Sequence, residues 1–141
     1  RQLQRSVVPQ LRAVLGGGFI VMAIPNQRSF PIPPGATREE AERIRRAILL
    51  ALVADGMQPG AHDLLIGRGG RCLLIELKRQ GVGRGPGLSP QQIEFHAACE
   101  EAGMEQAMCS TPEGVFAAVS LWCARHGFAM RGTLLGRERE R

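Results

Sequence analysis

An aspartate, a glutamate and a lysine stand close together in the segment HDLLIGRGGRCLLIELK, residues 62–78: Asp63, Glu76 and Lys78. Lys78 is the sole lysine among 18 cationic side chains, every other one being arginine. Two carboxylates that converge repel each other unless a cation lies between them or one takes up a proton. Hard oxygen donors of this kind suit Mg²⁺ or Mn²⁺, which keep several waters and often bind through one or two carboxylates together with a substrate phosphate. An ammonium group beside such an ion could orient or help deprotonate the ion's water, or offset charge developing on a phosphorus centre. These residue types fit hydrolysis of a phosphodiester.

The chemistry requires strands. Residues two apart in an extended chain share a face, so Glu76 and Lys78 project together while Leu77 points away. The apolar runs DLLI and RCLLIELK flank GRGG and predict a hairpin closed by a four-residue connection. Closing that loop symmetrically sets Ile66 against Arg71 and Asp63 against Leu74, which leaves Asp63 diagonal to Glu76 and within reach of it. An E-x-K pair on a strand is ordinarily a solvated face. Here the preceding CLLI is too apolar for a wholly exposed edge, and Asp63 stands at the mouth of the adjoining strand.

The remaining elements follow from periodicity and punctuation. Leu3, Val7, Leu11, Val14 and Leu15 form a helical stripe that Pro9 could kink and Gly16 to Gly18 end. FIVMAI (19–24) predicts a short buried strand, and the Pro-rich stretch 25–35 a loop. Thr37 and Glu40 have capping-box spacing; the helix they open carries Ile44, Ile48, Ala51 and Leu52 on its core side, Arg38, Glu42, Arg45 and Arg46 on its solvated side, and stops at Gly56. Ser89, Pro90 and Gln92 open a further helix that Gly103 ends; EQAMCS is a short strand; Ser110, Pro112 and Glu113 start a last helix, with Val115, Val119 and Trp122 inward and Gly127 as its stop. The expected architecture is α/β, a mixed central sheet flanked by helices, with one domain over residues 1–130 and a frayed tail over 131–141.

Composition narrows the partners. The chain has 141 residues, 44% hydrophobic, with a formal net charge of +5, enough length for one core and a surplus of guanidinium suited to phosphate oxygens. No apolar run approaches the roughly 18 residues that span a bilayer, and the first ten residues lack a secretory segment, so the chain reads as a soluble, intracellular protein with no membrane partner. Four cysteines without a C-x-x-C pair read as reduced thiols; Cys123 and His126 have ligand-like spacing but no second pair to complete a zinc site. Aromatic content of 4% argues against base stacking as the main mode of binding.

Asp63 followed by Glu76-Leu77-Lys78 resembles the PD-(D/E)xK nuclease signature. PGAHDLLI, CLLIELKRQG and GLSPQQIEFHAACEEAG together resemble the VRR-NUC branch of that superfamily, in its stand-alone, phage-type form, over about residues 55–125. The resemblance implies a restriction-endonuclease-like αβββαβ core with a helix inserted after the first strand. It implies Asp63 and Glu76 as ligands of Mg²⁺ or Mn²⁺ with the Leu77 carbonyl as a third, Lys78 as the catalytic amine, and Gln92 as a further active-site residue. For Gln92 a capping role alone is an equal alternative. Arg79 and Arg84, in the glycine-rich loop after Lys78, are the expected DNA-binding residues, reading backbone and shape with marked salt dependence. The implied activity is a divalent-metal-dependent endodeoxyribonuclease selective for branched, flapped or junction DNA, acting in places as a homodimer. A catalytically impaired module that binds DNA or a protein partner is the alternative; an RNA nuclease is a third reading.

The chain departs from the pattern twice. His62 replaces the family's proline before the aspartate and reads as a turn residue rather than a ligand. The glutamate that members carry on the first helix has no counterpart, since the first acid is Glu39; Gln2, Gln4 and Gln10 are the polar stand-ins, and the missing acid could lie upstream of Arg1.

Overall fold

The computed structural model describes residues 2–24, 32–78 and 88–132. Among them the chain runs α1 (Gln2–Leu15), β1 (Ile20–Ala23), α2 (Arg38–Ala54), β2 (Leu64–Arg68), β3 (Arg71–Leu77), α3 (Pro90–Glu101), β4 (Glu105–Cys109) and α4 (Pro112–His126). Each helix starts or stops where its sequence says it should. Thr37 and Ser89 close reciprocal capping boxes with Glu40 and Gln92, and Gly127 ends α4 in the left-handed conformation. Pro9 lies inside α1 without ending it, and the neighbouring Ser6 carbonyl accepts from the Gln10 side chain at 3.1 Å.

The strands form one mixed sheet in the order β1-β2-β3-β4, antiparallel except for the β3–β4 pair. The parallel pair follows from the crossover through α3, as a hairpin could not join it. Register assigns the faces. Val21, Leu64, Ile66, Leu73, Ile75 and Cys109 turn to one side and pack with Val7, Leu11 and Leu15 of α1 and Val115, Val119, Trp122 and Cys123 of α4. Fully burying each such aliphatic side chain contributes roughly 1.5–3 kcal/mol, so the sheet that carries the polar residues is held rigid from behind. On the other side lie Leu74, Glu76, Gln106 and Met108, with α3 across them. β3 is therefore buried on both faces from Leu73 to Glu76.

Four expectations need correction. The hairpin turn is two residues, not four: Arg68 pairs with Arg71, and Gly69 (φ 58°) and Gly70 (φ 74°) both take the left-handed conformation that a type I′ turn needs. β1 is an edge strand with Val21 alone buried, while Ile20 is 61% exposed on the uncovered side. α2 fully buries only Ala41; Ile44, Ile48 and Leu52 are half-buried and Ala51 is exposed. The N-cap of α4 is Thr111, whose hydroxyl accepts from the Gly114 amide, rather than Ser110. The Arg131 amide donates to the Val14 carbonyl at 2.8 Å, and residues 133–141 of the expected tail lie outside the described residues.

Candidate active site

β3 supplies the acid and the amine. Glu76 and Lys78 alternate with Leu77, so both side chains leave the sheet toward α3, and Lys78 Nζ lies 3.3 Å from Glu76 Oε1. The lysine amide donates to the Cys109 carbonyl at 2.8 Å, carrying the β3–β4 pairing one residue past the strand and fixing the amine's root. Glu76 is only 3% exposed. Burying a carboxylate without compensation costs several kcal/mol, and here the compensation comes from Lys78 and from α3.

Gln92, the third residue of α3, makes that compensation specific. Its Oε1 accepts from the Ser89 amide at 2.9 Å, which closes the capping box, and from Lys78 Nζ at 2.9 Å. Its Nε2 donates to Glu76 Oε1 at 2.5 Å. Capping and active-site roles were alternatives in the sequence; the structure has one amide doing both.

Asp63 precedes β2. One step beyond the last paired residues of the hairpin, Leu64 and Ile75, come Asp63 and Glu76. The two-residue turn shifts the register from the one a four-residue connection requires, and the ladder ends at the Leu64–Ile75 pair, short of Asp63. The Asp63 amide donates to the Ile75 carbonyl at 3.0 Å, and its Oδ2 accepts from the Leu77 amide at 2.7 Å. The carboxylate is thus held on the backbone between Glu76 and Lys78. Asp63, Glu76, Leu77, Lys78 and Gln92 are brought together, whereas Arg79 and Arg84 lie outside the described residues.

Two carboxylates flanking a backbone segment form a hard donor set suited to Mg²⁺ or Mn²⁺. Among the described residues no three His, Cys, Asp or Glu side chains come together as a metal-holding group. α1 adds no acid. It packs against the far face of the sheet, and Gln10, one of the stand-ins, is turned onto its own helix.

The segment before Asp63 holds what the sequence did not disclose. His62 is fully buried; its ring stacks on His96 of α3 with centroids 4.3 Å apart and planes at 21°, and tilts against Phe95 at 5.3 Å. No described protein group meets hydrogen-bond geometry with either ring nitrogen. Burial, then the charge of His96, pushes its pKa down to about 4, against an upward pull from the Gln106 side chain. His96 is lowered by burial and then by Lys78, with Glu100 opposing. Gly60 has φ 78°, and a Cβ there would lie 2.4 Å from the carbonyl carbon and oxygen of Gln91. Gln92 and His96 are four apart, so one face of α3 presents both, and that spacing was the available signal. Cys123 and His126 do not converge on a metal: the thiol is in the core, and His126 Nε2 lies 2.6 Å from Glu105 Oε2.

Comparison with protein-family models, with curated proteins and with solved structures finds no match to this chain.

Proposed function

We propose that the protein is a divalent-metal-dependent endodeoxyribonuclease that hydrolyses phosphodiester bonds, with branched, flapped or junction DNA as its preferred substrate. The observation that carries the reading is the convergence of Glu76, Lys78 and Gln92, with Asp63 fixed on the intervening backbone. The formal net charge of +5 suits a polyanion. The preference for branched DNA rests on the motif resemblance alone.

Asp63, Glu76 and the Leu77 carbonyl would hold Mg²⁺ or Mn²⁺, which supplies Lewis-acid charge at the scissile phosphate when bound. Gln92 locks Glu76 and Lys78 into fixed rotamers, so their polar atoms do not reorganise as charge develops. Lys78, 22% exposed at its side chain, is open to substrate on one side and held by Glu76 and Gln92 on the other. Its ammonium group orients the attacking water or neutralises charge on the phosphate oxygens.

Glu76→Gln keeps the shape and the hydrogen bonding but removes the charge. It should lower Mg²⁺- or Mn²⁺-dependent cleavage of plasmid and synthetic branched DNA on the order of 10³-fold with the fold intact. Undiminished cutting by this variant would refute the assignment. A second reading, a module that binds DNA without cutting, is favoured by one observation: no acid joins the site from α1 among the described residues. Salt-sensitive DNA binding with no divalent-dependent product would select it.

A further inference from the structure

Glu76 and Lys78 belong to β3 and Gln92 belongs to α3, so the array exists only while α3 sits at one height and rotation over the sheet. The capping box fixes Gln92 within its own helix but cannot fix the helix. At the first turn of α3, Gly60 lies so close to Gln91 and Gln92 that any side chain there would overlap their backbone. One turn later, His62 inserts its ring against His96 and Phe95. From the sheet, Gln106 Nε2 donates to the His96 carbonyl at 3.1 Å. Two of these contacts come from residues 60 and 62, immediately before Asp63. The same short segment therefore carries the aspartate and seats the helix that carries Gln92.

We propose that Gly60 and His62 are positioning residues that set the seat of α3, and through it the hold of Gln92 on Glu76 and Lys78. His62 works by the flat shape of its ring: it is completely enclosed, its stack with His96 is nearly parallel, and neither nitrogen meets hydrogen-bond geometry with a described protein group. A ring of the same shape without nitrogens does the same work, and a branched aliphatic side chain does not. Gly60 works by absence, since a Cβ would move the first turn of α3 away from the sheet.

The activity readout of this inference rests on the nuclease reading; a second readout does not. His62→Leu should lower kcat about 10- to 100-fold with KM within about twofold, because a misplacement near 1 Å costs catalysis on that scale. His62→Phe should restore kcat to within about threefold of the starting protein, and Gly60→Ala should reproduce the His62→Leu defect. The Gln92 side-chain amide resonances, assigned by ¹⁵N NMR, should move in His62→Leu and Gly60→Ala and return in His62→Phe. Wild-type kcat and unmoved Gln92 resonances in folded His62→Leu would overturn the proposal, as would a loss confined to KM. Equal defects in folded His62→Phe and His62→Leu would overturn it as well. If the starting protein cuts no DNA, the nuclease reading fails and the Gln92 resonances decide alone: movement with recovery in His62→Phe supports the seat, and no movement in any variant removes it.

Discussion

Glu76 and Glu105 stand on neighbouring strands and both face cations, yet their surroundings are built differently. Glu105 turns to α4, where one helix supplies everything: Trp122 Nε1 at 2.8 Å, Arg125 at 2.7 Å and His126 at 2.6 Å. Burial alone would raise its pKa, but hydrogen bonds from Arg125, His126 and Trp122, with the charge of His126, outweigh that and hold the carboxyl below the usual range. Glu76 turns to α3 and is less exposed, 3% against 25% at the side chain, but its cation is a strand neighbour two residues on and its amide partner caps a helix. Glu105 ties a strand to a helix through three donors of one element. Glu76 depends on two elements meeting, and its cation keeps an open side. An acid beside a base has little meaning by itself; what each partner is anchored to separates a fastening from a site that could act.

Exchanging the charge at each glutamate tests this contrast, and the largest difference should be in cleavage. Glu76→Gln should lose on the order of 10³-fold in divalent-dependent cutting and lose no thermal stability, since relief of a buried charge offsets the altered contacts. Glu105→Gln should cut normally but unfold more easily, by about 2 kcal/mol in chemical denaturation, because it weakens three hydrogen bonds of which two come from charged or chargeable donors. Comparable stability losses in the two variants would erase the distinction.

Acid should separate the two faces by pH. As pH falls below 6.5 the unfolded chain protonates its histidines while folded His62 stays neutral down to about 4, so the unfolded state binds more protons and stability drops through that window. His96 on α3, facing His62 and Lys78, adds to the same loss. The penalty from His62 alone is roughly 3 kcal/mol, and it should disappear in His62→Phe. Stability from Glu105 is present above about 4.5 and is lost only at lower pH, as its depressed folded value is passed. Denaturant midpoints from pH 7 to pH 3 would show one step in the starting protein that shrinks in His62→Phe and a second that Glu105→Gln lacks. The smallest effect belongs to a pair outside both clusters. Arg38 and Glu42 sit 3.4 Å apart with side chains 93% and 64% exposed, and Arg38→Ala should change stability by less than about 0.5 kcal/mol.

Local signals in the sequence were sufficient for the helix ends apart from the cap of α4, for the two-residue alternation that puts Glu76 beside Lys78, and for the order of elements. They failed where the answer depends on distant packing. In GRGG either two or four residues can close a turn, and only the pairing of Arg68 with Arg71 decides. FIVMAI is apolar throughout, so nothing in it says that α3 leaves β1 uncovered. His62 read as a turn residue because its partners lie on a helix more than thirty positions later. The Glu105 cluster had a usable trace: Trp122, Arg125 and His126 fall three and four apart, one face of α4 aimed at a strand acid.

Gln92 makes one amide serve both the nucleation of α3 and the geometry around Glu76. A first turn that frays by breaking the Ser89 contact also releases Lys78 and Glu76, so winding of the helix and readiness of the array are one equilibrium. Amide exchange at Ser89, a purely local measurement, then reports the fraction of molecules whose array is assembled.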